Sequence, residues 1–177
     1  MENWKKFLFN DRADVKRLDY VIRYSSIPSV YQESVSQHSY WVVLNSILIH
    51  KEICANSVNS PSIELSILKK ALIHDIGECV SGDLVRTFKY SNSDFKEAVD
   101  RAEQDMIDKY LPSSIKSLIQ ESMVGTTEDQ KYVNSIVKAG DFISLFHYMN
   151  REHNRGNREI YPFVNRMKQD MKLMSKM

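Results

Sequence analysis

Residues that break regular structure are scarce in this chain: five glycines and four prolines are spread over 177 residues. A sheet-rich fold needs frequent tight turns, and Gly and Pro supply most of the backbone geometry those turns demand. So few of them cannot serve a sandwich or a barrel, whereas long helices do without them. Apolar residues recur at helical spacing, as in Val15, Leu18, Val21 and Ile22, and no segment of useful length alternates with period two. The chain reads as all-α, a compact bundle of about six or seven helices. With no internal repeat, no low-complexity segment and no visible boundary, residues 1–177 are expected to form one domain.

Composition narrows the partners. Hydrophobic residues make up 42% and charged residues 27%, the balance of a soluble globular protein. Lys and Arg number 24 against 23 Asp and Glu, a net charge of +1. That excludes the strongly basic class of nucleic-acid binders and the polybasic membrane binders, so no stable nucleic-acid partner is expected. Cys54 and Cys79 form no CxxC pair, which indicates neither a thiolate zinc site nor a disulfide framework, and fits a reducing compartment. The segment Met1–Lys6 lacks the apolar core of a signal peptide. The longest apolar run, Tyr40–Ile49, is interrupted by Asn45 and Ser46 and is too short for a span of about 20 residues. A cytoplasmic location is expected.

Helix boundaries follow from capping and breaking residues. A first helix is predicted over Asp11–Arg23, broken by Ser25–Ser29 around Pro28. Ser34 or Ser36 caps a second helix reaching about Cys54. Pro61 opens a third, with Gly77 as its stop. Ser81–Ser93 is the longest irregular stretch. Helices are then predicted over Asp94–Leu111, from Ser113 to Met123, from Gln130 to about Arg151, and over Tyr161–Met174.

The informative residues are polar ones on apolar stripes, because a buried charge must be paired, hydrogen-bonded or metal-bound. Asp141 has Val137 and Leu145 one turn to either side. His74-Asp75 ends the run Ala71-Leu72-Ile73, and His38 opens a helix whose next turns carry Trp41, Val42, Leu48 and Ile49. Singly, each is also what a hydrogen-bonded core residue looks like. Together, two imidazoles and two carboxylates make a donor set suited to a divalent ion: imidazole favours Zn, Co, Fe or Ni, carboxylate Mn or Mg. Adjacent His and Asp cannot point the same way within a helix, but they can straddle one ion over a helix end. His147 and His153 lack partner spacing and His50 sits in the hydrophilic end of its helix, so all three read as ordinary residues. There is no GxSxG elbow, phosphate-binding glycine loop, HExxH or paired ExxH to support a rival chemistry.

The order His38, His74-Asp75, Asp141 resembles the HD-domain phosphohydrolases, and more closely the small bacterial 5'-deoxynucleotidases of the YfbR type and their phage relatives. Four stretches carry the likeness: Arg23-Tyr24; Glu33-Ser34-Val35-Ser36-Gln37-His38-Ser39; Ala71 to Glu78 followed by Ser81-Gly82-Asp83-Leu84 and Lys89-Tyr90; and Lys138-Ala139-Gly140-Asp141. Beyond them only Glu152 and Gly156-Asn157 match. The resemblance implies an HD-domain bundle in which His38, His74, Asp75 and Asp141 bind one divalent ion (Co, Mn, Zn or Mg). Glu78 would be the general acid/base, and Asp83 would orient the substrate through the sugar 3'-hydroxyl. Arg23 would hold a phosphate, Tyr24 and Ile27 would lie near the nucleoside, and Arg86 and Lys89 would add cations. Outside that resemblance, Glu78 and Asp83 also fit surface carboxylates, Arg23 a helix-end cation, Tyr24 a core residue and Lys89 a solvated one. The relatives further imply a dimer or larger homo-oligomer, for which Phe7, Phe9 and Phe163 are apolar candidates.

Two activities divide this family: release of phosphate from a deoxynucleoside monophosphate, and release of triphosphate from a deoxynucleoside triphosphate. A monophosphate carries about two charges at neutral pH and a triphosphate about four, so the second wants more cations. Where the nucleotidases tend to have P-T-P-V-K-Y, this chain has Val85-Arg86-Thr87-Phe88-Lys89-Tyr90. The added Arg86 tilts the expectation towards a dATP triphosphohydrolase, with the 5'-deoxynucleotidase as the alternative and a non-catalytic nucleotide-binding regulator as a remoter one.

Overall fold

The computed structural model describes residues 14–54, 61–84, 89, 92–123 and 128–174. Among them the chain is helical, without named strands: a 3-10 helix at Asp14–Asp19 precedes α1 (Val35–Ile53), α2 (Pro61–Ile73), α3 (Glu78–Ser81), α4 (Ser93–Tyr110), α5 (Ser113–Met123), α6 (Glu128–Asn154) and α7 (Tyr161–Met174). No described helix is long and apolar enough to cross a membrane.

Helix α6 runs longer than the sequence reading, Glu128–Asn154 against Gln130 to about Arg151, and two other boundaries fall short of it. The expected first helix stops at Asp19, because the next residues pair with the approach to α1 instead. Ile22 and Ser34 form an isolated antiparallel bridge, Arg23 N–H donates to Glu33 C=O at 2.9 Å and Val35 N–H to Val21 C=O at 2.9 Å. Helix α2 ends at Ile73, four residues before Gly77. The chain tightens there into turns, with Ile76 N–H on Ile73 C=O and Glu78 N–H on Asp75 C=O. Gly77 is needed for a different reason: a Cβ on it would lie 2.7 Å from the Glu103 carboxylate of α4.

The other starts and stops follow local chemistry. Ser34, rather than Ser36, caps α1 in a reciprocal box: its hydroxyl accepts from Gln37 N–H and the Gln37 side chain accepts from Ser34 N–H. Asn92 caps α4 by accepting from the N–H groups of Asp94 and Phe95. Gly156, at φ +91°, closes α6 in the left-handed conformation that favours glycine.

Helices α1, α2 and α6 enclose one apolar cluster built on Val42, Ile67, Ala71, Val133, Ile136 and Val137. A second joins the α2–α3 turn to α4 and α5 through Ile73, Ile76, Met106, Ile107, Leu111 and Ile119. Each fully buried aliphatic side chain contributes about 1.5–3 kcal/mol relative to exposure. The closest approach is at Gly140 of α6, where a Cβ would stand 2.2 Å from Ser46 Oγ and 3.0 Å from the α1 backbone. This contact, at Val42 and Ser46, sets α6 directly against α1 one to two turns from His38.

The far end of α6 anchors the loop before α1. The buried Glu152 carboxylate accepts from the N–H groups of Val30 (2.6 Å) and Tyr31 (2.7 Å) and from the Asn157 amide (3.0 Å). Burial works to raise its pKa, but Asn157 and the two backbone donors outweigh burial and hold it below the usual value. A depressed folded-state pKa means stability that is present above the ordinary value of 4.5 and lost as pH falls through the folded one. Glu152→Gln should therefore lower unfolding free energy by about 2–3 kcal/mol at pH 7. The gap to wild type in urea melts should narrow below about pH 4.5; a gap independent of pH would contradict the charge-based anchor.

Candidate metal centre

His38, fully buried on the first turns of α1, is fixed by its far nitrogen: Nδ1 meets Ser144 Oγ of α6 at 3.1 Å. His74, just past the end of α2, donates from Nδ1–H to Ala71 C=O at 2.8 Å. That bond places the proton on Nδ1 and leaves Nε2 a lone pair, the tautomer a metal-binding histidine uses. The two rings stand 5.4 Å apart, tilted by 56°.

Both Nε2 atoms face carboxylates. His38 Nε2 lies 3.1 Å from Asp141 Oδ1 and 3.6 Å from Asp75 Oδ2, and His74 Nε2 lies 3.1 Å from the same Asp75 oxygen. Neither Nε2 makes a hydrogen bond of acceptable geometry, although both are buried. Donor atoms of His38, His74 and Asp141 lie within 4.8 Å of one another, so the set could hold a metal ion, with Asp75 beside it. The difficulty with adjacent His and Asp disappears because helix α2 ends at Ile73, which places both residues in a turn.

The charges are mutually dependent. Burial pulls His38 below its usual pKa despite the Asp141 carboxylate 3.1 Å from its Nε2. Burial acts the same way on His74, but the Asp75 carboxylate 3.1 Å from its Nε2 outweighs it and the net shift is upward. For Asp75, burial would raise the pKa; the close approach and charge of His74, then the charges of His38 and Arg23, take it down to about 2. Burial would raise Asp141 as well, but the close approach and charge of His38 outweigh it and hold that carboxylate below its usual value.

Glu78 begins α3 three residues after Asp75, and its Oε2 is buried without a hydrogen-bond partner. Burial first, then the neighbouring charges of Asp75 and Asp83, push its pKa up to about 9. A cation at the adjacent donor set would oppose this shift and bring the group towards the range in which it exchanges protons near neutrality.

Arg23 is buried, and its Nε and Nη1 lack hydrogen-bond partners. Burial opposes its charge, but the acidic surroundings of Tyr24, Asp75, Asp141 and Asp83 outweigh that and raise its pKa. Since the 3-10 helix ends at Asp19, Arg23 is not a helix-end cation. Tyr24 adopts φ +55°, and its N–H donates to Asp83 Oδ2 at 2.7 Å, tying the loop after α3 to the loop before α1. Its ring stacks on Tyr148 at 5.4 Å. Ile27, like Tyr24, packs against the apolar cluster of Tyr148, Met149, Ile160 and Val164. Lys89 is drawn to α4, 3.4 Å from Glu103 and 4.0 Å from Asp100. Arg86 lies outside the described residues.

Several residues in this neighbourhood were not singled out from sequence. Glu33 is buried between Arg23 (3.9 Å) and Arg151 (3.5 Å). Its place in the Glu33–Ser39 stretch was the available signal. Ser144 orients His38 and, with Glu33, Trp41, His147, Tyr148 and Arg151, bounds a cavity of about 180 Å³. Away from the centre, His50 proves to be buried rather than on a hydrophilic helix end, 3.0 Å from the Tyr132 hydroxyl.

A helical bundle that gathers a histidine, a His-Asp pair and a distant aspartate defines an HD-domain phosphohydrolase. The sequence matches the family described as 5'-deoxynucleotidase YfbR-like over residues 12–177, and the chain belongs to that family. It is 26% identical over 153 residues to a 5'-deoxynucleotidase of Klebsiella pneumoniae, covering 83% of this chain and 74% of the relative. It is equally similar, over 153 residues, to one of Vibrio cholerae, covering 76% of that protein. Among solved structures, an HD-domain phosphohydrolase from Listeria innocua superposes with a TM-score of 0.68 at 21% identity, over 100% of this chain and 83% of the other. The PH0347 protein of Pyrococcus horikoshii gives 0.63 at 17% identity, over 95% of each chain.

If the donor set acts as a unit, removing one member removes the site. Asp141→Ala should weaken Mn or Co binding in calorimetric titration by at least ~10-fold and abolish the metal-induced rise in melting temperature. Unchanged affinity would detach Asp141 from the centre.

Proposed function

We propose that this protein is a metal-dependent 5'-deoxynucleotidase, hydrolysing deoxynucleoside monophosphates to deoxynucleoside and phosphate. The observation that carries the reading is the convergence of His38, His74 and Asp141 within 4.8 Å, with Asp75 beside them and the buried Glu78 at the same turn. The family match, and the 5'-deoxynucleotidase names of its relatives, favour a monophosphate substrate over the triphosphate that Arg86 had suggested. Lys89, the other cation invoked for a longer phosphate tail, faces Glu103 and Asp100.

His38, His74, Asp75 and Asp141 would hold the ion. A divalent cation there supplies charge neutralisation at the phosphoryl group and acidifies water. Arg23 supplies a planar fork matched to two phosphate oxygens, and its burial preserves the strength of that pairing. Attack of water on phosphorus forms one P–O bond and breaks the bond to the sugar O5'. Glu78 takes the proton of the water and returns it to the departing oxygen, so that one water is consumed and no net charge is left on the enzyme. Asp83 spends Oδ2 on Tyr24 N–H, which leaves Oδ1 for the 3'-hydroxyl of the sugar.

Two outcomes test this. Glu78→Gln should lower kcat by at least ~10²-fold while metal affinity in calorimetry stays near wild type; an unchanged kcat would reduce Glu78 to scaffold. Incubation with each dNMP and dNTP plus Mn, Co, Zn or Mg, followed by chromatographic product analysis, should yield phosphate from monophosphates. Triphosphate released from dATP, with monophosphates untouched, would overturn the assignment in favour of the triphosphohydrolase.

A further inference from the structure

The backbone sets Arg23 and Glu33 side by side. Arg23 N–H donates to Glu33 C=O at 2.9 Å next to the Ile22–Ser34 bridge, and both residues are buried, 8% and 3% exposed. A guanidinium and a carboxylate buried together ordinarily close into a fork of two short, parallel hydrogen bonds. Here the approach of Arg23 Nη1 to Glu33 Oε2 is 3.9 Å, and these two atoms, with Arg23 Nε, lack hydrogen-bond partners.

A second guanidinium engages the other oxygen of the same carboxylate. Arg151 Nη2 donates a long hydrogen bond to Glu33 Oε1 at 3.5 Å. Aromatic rings fix Arg151 in place: its guanidinium carbon lies 4.1 Å from the centre of the Tyr31 ring and 5.7 Å from that of Tyr148. Those residues are anchored in turn, the Tyr148 hydroxyl on Tyr31 C=O at 3.1 Å and Tyr31 N–H on the Glu152 carboxylate at 2.7 Å. Arg151 is therefore held by contacts that involve none of the metal-binding candidates.

We propose that Arg151 is a positioning residue for the substrate phosphate. By holding Glu33, it keeps that carboxylate from closing on Arg23 and leaves the Arg23 fork open. Charge works in the same direction. Two guanidinium groups around one carboxylate leave a positive charge for an anionic substrate, whereas Arg23 and Glu33 alone would cancel. Arg151 need not touch the substrate; it acts through Glu33. The inference rests on the assignment of Arg23 to the phosphate.

The test is steady-state kinetics of the Mn-loaded enzyme on a deoxynucleoside monophosphate, with calorimetric binding of inorganic phosphate as a readout that needs no turnover. Arg151→Met should raise KM and the phosphate Kd by at least ~10-fold and leave kcat within ~2-fold, the pattern of lost binding rather than lost chemistry. Arg151→Lys should stay within ~3-fold of wild type, because a point charge still engages Glu33. Glu33→Gln/Arg151→Met should return KM to within ~3-fold of wild type, a coupling that a merely structural role does not produce. If melting curves show that Arg151→Met does not fold, Glu33→Gln carries the test alone and should bind phosphate at least as tightly as wild type. An unchanged KM or a loss confined to kcat in folded Arg151→Met, a double variant no better than the single one, or weaker phosphate binding by Glu33→Gln would each overturn the proposal. Arg23→Met separates it from the assignment beneath it. A KM raised at least ~10-fold upholds Arg23 as the phosphate ligand whatever Arg151 does, and an unchanged KM removes that assignment and this inference together.

Discussion

The centre depends on how closely two helices are allowed to meet. His38 belongs to α1 and Asp141 to α6, more than a hundred positions later, and their side chains come within 3.1 Å only because Gly140 lets α6 rest on the backbone of α1 at Ser46. Any side chain at 140 would drive into Ser46 and the Val42 carbonyl, neither of which is the free end of a flexible group. The glycine just before the distant aspartate thus shapes the candidate metal centre without offering a ligand atom to it.

Around that contact, a second set of buried polar groups holds the substrate side in place. Glu152 gathers the backbone of Val30 and Tyr31, Glu33 sits between Arg23 and Arg151, and Asp83 pins Tyr24. These groups stabilise the loop that presents Arg23 rather than contributing apolar burial. Such networks are strong only when their members are satisfied, and Arg23 Nε, Arg23 Nη1 and Glu33 Oε2 still lack hydrogen-bond partners. The phosphate proposed for Arg23 would give Nε and Nη1 the partners they lack.

Much of this was legible in the residues. Capping and breaking signals located α1, α4, α5 and α7 to within about a residue, because Ser34, Asn92, Pro112 and Tyr161 act through local geometry. Polar side chains on apolar stripes singled out His38, His74, Asp75 and Asp141 together. The early helix and the end of α2 were misjudged because pairing of Val21–Arg23 with Glu33–Val35, and the approach of Glu103 to Gly77, are tertiary contacts that leave no periodicity. Ser144, Glu33 and Arg151 were missed for the same reason: their role is set by what lies across the bundle. Arg86, on whose charge the triphosphate expectation rested, lies outside the described residues, as do Phe7 and Phe9.

The central claim is a single ion held between α1, the turn after α2 and α6. The most direct measurement is anomalous diffraction from crystals soaked in Co or Mn, with data collected at the metal edge. The account predicts one strong peak per chain within about 2.0–2.3 Å of His38 Nε2, His74 Nε2 and carboxylate oxygens of Asp75 and Asp141. A peak bonded to other residues, or none at this centre at saturating metal, would contradict it.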